Sequence, residues 1–347
     1  MRNIRLALVG CGAAALGCHV PAFPRINSAT LTALVDPSPA QRAVVLQTLG
    51  EYGFDPSPVL GYADLDEALE HFDAAVVAAP HSFHRPIAQR LLDAGKHVLL
   101  EKPIATTLAD AEAMRELAHR PQAPLLAMAH PRRLFPAVRW VSELIADGSL
   151  GQVSSIHWVE GHPYAHEPVS WSMFDQRLSG GGALIDTASH VFDVLLWWLG
   201  ADLEVLYYAD DSLGGVEAEA VARMRANDVA VELELSRLRA LGTRCTVVGD
   251  KATATIGTDF PAGTCSLVSK DGAILHKGDV AAVAPAQDEW ELLFVEQLNN
   301  FVAACSGTVT AYADPTDGYR VMRLIHDCYA HPARERLHRS WLEKSGS

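Results

Sequence analysis

Residues 4–17 read "IRLALVGCGAAALG", and this stretch decides how the first half of the chain is built. An apolar run that stops at Gly10-x-Gly12 and continues into small residues is a buried strand turning sharply into a helix. Gly10 would make the tight turn, and Gly12 would let the backbone approach a pyrophosphate at the helix start. Ala13 and Ala14 continue the same turn, and a small residue at Ala15 allows close helix–strand packing. The motif alone also fits an ordinary strand-to-helix turn. Asp36 strengthens it, because it ends a second apolar strand, "LTALVD" (31–36), 26 residues after Gly10. A carboxylate there accepts hydrogen bonds from both ribose hydroxyls of NAD and repels the 2′-phosphate of NADP. Pro37 and Ser38 follow, with no arginine to receive that phosphate, so the expected cofactor is NAD. The plainer reading of Asp36 is a helix cap.

Working outward, "DAAVVAAP" (73–80), "HVLLEKP" (97–103) and "PLLAMAH" (124–130) are further apolar strands. Helical periodicity lies between them, as in "HRPIAQRLLDAG" (84–95) and "TLADAEAMRELAHR" (107–120). This alternation predicts a parallel sheet with helices on both faces. After about residue 150 the pattern changes. "QVSSIHWVEGH" alternates like a half-exposed strand, and Gly180-Gly181-Gly182 opens an apolar helix ending near Leu199. Strands follow near 203–209, 216–226, 229–238, 243–249 and 252–256, then a hairpin near 264–277. Helices at 287–305 and 316–329 close the pattern. Strands joined by short turns predict an open, mostly antiparallel sheet in an α+β domain. The expected division is 1–130 and 131–347.

The length, 347 residues, suits two domains, and 49% hydrophobic with 20% charged residues is a globular composition. No apolar run is long enough to cross a bilayer; the longest, Val191–Leu199, is interrupted by Asp193. The first apolar stretch is too short for a signal peptide. Six scattered cysteines without a C-x-x-C pair fit buried thiols in a reducing cytoplasm. The net charge of −14 argues against nucleic-acid or anionic-membrane partners. From Trp140 to Ala222 there are thirteen acids and one base, Arg177. That window is either a solvated acidic face or a cleft that attracts cations.

The C-terminal ends of parallel strands face the ligand crevice. "AAPHSFHRPIA" (78–88) places Pro80 and His81 there, with His84 opening a helix as either a structural histidine or a ligand contact. "GKHVLLEKPI" (95–104) ends its strand at the same edge on Glu101-Lys102-Pro103. Further on, "GGGALIDTASHVFDVLLWWLG" puts Asp186, His190 and Asp193 at helical spacing on one face of an apolar helix. Three polar groups on such a face are a satisfied buried network or chemistry. A metal site drawing on His157, His162 and His166 lacks a tight ligand set, so no metal is expected.

Taken together, Gly10-x-Gly12-x-x-Ala15, "APHSFH", "GKHVLLEKP" and "GGGALIDTASH" resemble the glucose–fructose oxidoreductase and inositol dehydrogenase family over almost the whole chain. The resemblance implies an N-terminal Rossmann domain and a C-terminal substrate-binding and oligomerisation domain. It implies that Lys102 acts on both cofactor and substrate hydroxyl, that a cis peptide precedes Pro103 and aims it, and that Glu101 neighbours the cofactor. It assigns Asp186 and His190 to catalysis. This chain has Ala188 where the family usually has glycine. It also has Trp171-Ser172 where many relatives have a Trp-Arg pair, so Arg177 is the nearest arginine. Tyr164, His166, Glu167 and Trp171 offer surfaces suited to a sugar ring.

The expected activity is NAD-dependent oxidation of a secondary hydroxyl of a sugar, cyclitol or glycoside. His190 would be general base, Lys102 would stabilise the developing alkoxide, and Asp186 would orient His190 or a second hydroxyl. The acidic window suggests an amino sugar or aminoglycoside, steered as a cation. Alternatives are reduction of a nucleotide-linked keto-sugar, glycoside cleavage through transient oxidation, a non-catalytic NAD-sensing regulator and a metal hydrolase. A C-terminal sheet with an uncovered apolar face would make the protein a homodimer or homotetramer.

Overall fold

The computed structural model describes residues 3–163, 171–212, 215–259, 263–283 and 290–337. Its contacts divide the chain into two compact units. The first comprises Met1–Pro131, Pro168–Ser172 and Gln287–Met322; the second comprises Arg132–Glu167, Met173–Ala286 and Arg323–Ser347. The division therefore differs from a single cut after residue 130, because 287–322 returns to the first unit.

The first unit holds a six-stranded parallel sheet. Its strands are β1 (Ile4–Val9), β2 (Ala29–Val35), β3 (Leu60–Tyr62), β4 (Ala74–Val77), β5 (His97–Glu101) and β6 (Leu126–Ala129), in the order β3-β2-β1-β4-β5-β6. The order reverses at β1, so β1 and β4 flank the switch point where such sheets bind ligands. Residues 74–77 and 98–100 are buried throughout, which is why these strands read as unbroken apolar runs. The short β3 strand went unread in the sequence. Helices start where caps allow: Ser38 accepts from the Gln41 N–H before Pro39–Glu51, and Thr107 accepts from the Asp110 N–H before Leu108–Ala118. Helix Trp290–Cys305 packs on the segment after β1, where Trp290 Nε1 donates to Gly17 O at 3.1 Å.

The second unit holds a nine-stranded mixed sheet in the order β14-β13-β12-β11-β7-β10-β9-β8-β15. These strands are β7 (Val153–Gly161), β8 (Glu204–Asp210), β9 (Glu219–Ala226), β10 (Val229–Ser236), β11 (Gly242–Gly249), β12 (Ala252–Gly257), β13 (Thr264–Ser269), β14 (Ile274–Asp279) and β15 (Glu335–Arg336). Among the described residues, only β7–β10 and β8–β15 pair in parallel in this sheet. Trp158, Met224, Leu233, Cys245 and Ala254 are buried on one face. The opposite face does not bear out the apolar alternation expected of it. A row of paired residues runs across it: Ser266, Thr255, Thr246, His157, Glu232, Arg223 and Tyr207. Polar and charged cross-strand neighbours satisfy one another and need no second apolar surface.

Candidate active site

Each unit carries one group of expected site residues. In the first, Gly10 adopts φ +90°, and a Cβ there would lie 2.6 Å from Ala79 N, so only glycine lets the β1 turn meet the chain leaving β4. Gly12 differs: a Cβ built on it meets nothing within 4 Å, which leaves an open cradle beside the backbone of Ala13 and Ala14. Asp36 leaves β2 and turns back to this loop. Its Oδ2 accepts from the Cys11 N–H at 2.9 Å and its Oδ1 from the Ser38 N–H at 2.8 Å. Each oxygen keeps a lone pair for a ribose hydroxyl. The open cradle and this carboxylate fit a dinucleotide. Arg42 corrects one sequence inference, because its guanidinium donates to the Asp36 carbonyl and so brings an arginine to the end of β2 from six residues on.

Pro80 and His81 follow β4 as expected. His84 is fully buried, with Nδ1 2.7 Å from Pro103 O and Nε2 2.9 Å from Ala79 O. Burial and the neighbouring His81 push its pKa down to about 4, so the ring is neutral and joins two backbone turns. It has no surface to offer a cofactor, so of its two readings the burial favours the structural histidine over the ligand contact. The Lys102–Pro103 peptide is cis. Glu101, also buried, accepts from the Lys102 N–H through Oε2 at 3.2 Å, and its Oε1 lies 2.8 Å from His19 Nε2. Burial alone would push this carboxyl up; the hydrogen bond and charge of His19, with Lys102, hold it below the ordinary carboxylate range. Sequence reasoning missed His19, because a lone histidine in an apolar segment carries no signal of its partner.

In the second unit, the glycine-rich turn is shaped by packing. A Cβ on Gly181 would lie 2.2 Å from Tyr329 Oη, and one on Gly182 would lie 1.9 Å from Glu217 O. Glu217 uses that closeness: its carboxylate accepts from Gly182 N at 3.0 Å, Leu184 N at 2.8 Å and Tyr329 Oη at 2.9 Å. It thus satisfies donors at the start of the helical segment that follows. Leu184–Ala188 form one π turn, and Ser189–Leu199 continue as α-helix to Gly200 at φ +61°. Asp186, Thr187 and His190 are half-buried positions on an otherwise buried stretch. Asp193 does not share their setting. It is 1% exposed and accepts from Arg133 Nε at 2.9 Å and Nη2 at 2.6 Å, a buried bidentate pair. Asp186 Oδ2 instead accepts from Arg237 Nη2. Arg237 follows β10 and was missed, because nothing in sequence spacing ties it to residue 186.

Beside Asp186 lies a cleft of about 110 Å³ lined by Glu160, His162, Thr187, Ser236 and Arg237 among others. Glu160 accepts from Arg132 Nη1 and Nη2, both at 2.6 Å. Of the other sequence candidates, Arg177 is exposed and hydrogen-bonded to Asp175. Tyr164, His166 and Glu167 lie outside the described residues, as does the side chain of Trp171, whose backbone forms a 3₁₀ turn. Among the described residues no group of three His, Cys, Asp or Glu could hold a metal ion.

Much of the acidic window is partnered by arginines. Among the described residues, eight of its acids pair with arginine: Glu160, Asp175, Asp186, Asp193, Asp202, Glu204, Asp210 and Glu219. Seven of those eight arginines lie outside the window, so a one-dimensional count could not see the neutralisation.

The sequence of residues 4–129 matches the model of an oxidoreductase family with an NAD-binding Rossmann fold, and residues 138–255 match the GFO/IDH/MocA C-terminal domain. The chain belongs to this family: it is an oxidoreductase whose cofactor is NAD. Inositol 2-dehydrogenase of Corynebacterium glutamicum is 25% identical over 335 residues, covering 92% of this chain and 91% of that protein. Among solved structures, a levoglucosan dehydrogenase in complex with NADH superposes with TM-score 0.81 at 18% identity, covering 96% and 97% of the two chains. The aldose-aldose oxidoreductase of Caulobacter crescentus gives 0.80 at 24% identity, covering 94% and 97%. The two structural likenesses carry the fold.

Proposed function

We propose that this protein oxidises a secondary ring hydroxyl of an uncharged sugar, cyclitol or glycoside to a ketone. The observation that carries the reading is the half-buried trio Asp186, Thr187 and His190 on a buried helix, with Asp186 fixed by Arg237. In this reading His190 takes the hydroxyl proton at a ring nitrogen. Lys102 donates to the same oxygen as alkoxide charge develops. Asp186, held by Arg237, orients His190 or a second hydroxyl. NAD, held at Gly10, Gly12, Ala13, Ala14, Asp36 and the strand ends at Pro80, His81 and Glu101, supplies the hydride acceptor. Relatives named for inositol and levoglucosan support a polyol.

An amino group is not part of the proposal, since eight of the thirteen acids that suggested it pair with arginines. A panel of myo-inositol, levoglucosan, glucose, an aminoglycoside and a nucleotide sugar, assayed with NAD, tests the reading. NADH accumulating with a neutral polyol supports it. Product without NADH accumulation would instead show glycoside cleavage through transient oxidation, and a nucleotide keto-sugar consuming NADH fastest would show a reductase. A homodimer or homotetramer joined through the C-terminal sheet would be held by its polar ladder. Sedimentation at low and high salt separates that assembly from a monomer.

A further inference from the structure

The contact between His19 and Glu101 has no part in the chemistry above, yet it sits at the foot of Lys102. The segment after Gly12 is not a regular helix. Ala15–His19 form a π turn, and Val20–Arg25 form a 3₁₀ turn with Pro24 inside it. π turns are rare and concentrate at functional sites. This one ends on His19, whose side chain is fully buried. The ring stands edge-on to Phe294 at 5.5 Å, and Trp290 anchors the same turn through Gly17 O. Among the described residues His19 Nδ1 has no hydrogen-bond partner, so the polar contact of this ring is the one through Nε2 to Glu101. Glu101 divides its oxygens between His19 and the Lys102 N–H.

We infer that His19 is a positioning residue for Lys102, acting through Glu101; this rests on the role given to Lys102 above. A buried carboxylate stays ionised only with a partner, and an ionised carboxylate is the stronger acceptor for the Lys102 amide. Without His19 the groups still facing Glu101 among the described residues are Lys102 itself, Cys18 from the π turn and His84 from the helix after β4. His130 follows Ala129, the β6 partner of Glu101 in the sheet. Cys18 has its thiol pushed up to about 12, and His84 is neutral, so neither replaces the lost donor. Glu101 would then take up a proton at a higher pH, release the Lys102 amide, and let the ammonium drift from its line of action.

The test uses NAD-saturated protein labelled with ¹⁵N-lysine, with the Lys102 amide assigned through Lys102→Arg and followed against pH. In wild type the amide reports Glu101 ionisation at acid pH. In His19→Leu the midpoint should rise by about one pH unit or more. In steady state with the polyol from the panel, kcat should fall about tenfold or more while KM for NAD stays within about threefold. His19→Gln, which keeps a donor near the Nε2 position, should recover most of the rate. Glu101→Gln should abolish the pH response of the amide, and it decides the question should His19→Leu fail to fold.

An amide midpoint unmoved in His19→Leu overturns the inference. So does a His19→Gln as impaired as His19→Leu. If no polyol is oxidised by wild type, the functional reading fails, while the amide titration still decides the link from His19 to Lys102.

Discussion

Arg237, entering from the end of β10, donates to the Oδ2 of Asp186, a residue 51 positions earlier on the helical segment that carries His190. The Arg237 side chain is 10% exposed and that of Asp186 is 34% exposed. Asp186 is therefore anchored through Oδ2 on a side chain that is still partly exposed. Arg237→Met should lower kcat about tenfold by letting Asp186 swing, with KM for NAD unchanged. Arg237→Lys should recover little, since an ammonium does not reproduce a directed guanidinium contact. Equal damage to kcat and to NAD binding would show a general loss of fold.

Lys102→Met should reduce turnover by on the order of 10²–10³, because a charge aimed at developing alkoxide is lost. NADH binding, followed by fluorescence, should persist. A near wild-type rate would remove Lys102 from the mechanism.

Asp36→Ala should weaken NAD by about 1–3 kcal/mol, the worth of hydrogen bonds to ribose hydroxyls. Asp36 also receives the Cys11 and Ser38 amides, so thermal stability should fall slightly as well. With the carboxylate gone and Arg42 at the end of β2, NADP binding should improve relative to NAD. Titrations with both cofactors check this, and an unchanged preference would leave Asp36 a structural residue.

Asp193→Asn should destabilise the protein by on the order of 3–5 kcal/mol, because it removes the carboxylate charge from a buried bidentate pair. Denaturant unfolding measures the loss. A small effect would mean that water reaches Arg133.

Burial raises the Glu217 carboxyl above the usual range, against the Leu184 N–H and Tyr329 hydroxyl that favour its ionised form. Its folded pKa thus exceeds its unfolded value. Between the two the folded state keeps a proton that the unfolded chain has released. The associated stability is complete below the unfolded pKa and fades as pH rises through the folded value. Glu217→Gln should flatten this decline. Unfolding midpoints from acid to neutral pH would show it, and a slope equal to wild type would exclude Glu217 as its source.

The parallel sheet was legible because Leu6–Val9 of β1, all of β4 and Val98–Leu100 of β5 are buried, so these runs carry no polar interruption. The antiparallel strands were legible from alternation, with ends misplaced by a few residues. What remained hidden were pairings made by folding: His19 with Glu101 across 82 residues, Arg133 with Asp193 across 60, and Asp186 with Arg237 across 51. Each partner looks ordinary in its own segment. Asp193 misled for a related reason: spacing puts it in register with His190, but only tertiary packing shows that Arg133 claims it.

The approach of Gly10 to Ala78 and Ala79 has a consequence for anyone recombining relatives. The turn after β1 and the turn after β4 touch backbone to backbone, with no side chain between them to absorb a mismatch. A chimera that exchanges residues 10–15 alone would inherit a donor loop cut to a different neighbour. Exchanged together, 10–15 and 78–84 form one transferable cassette, and crossover points placed between them in sequence should be the ones that a shuffled library loses.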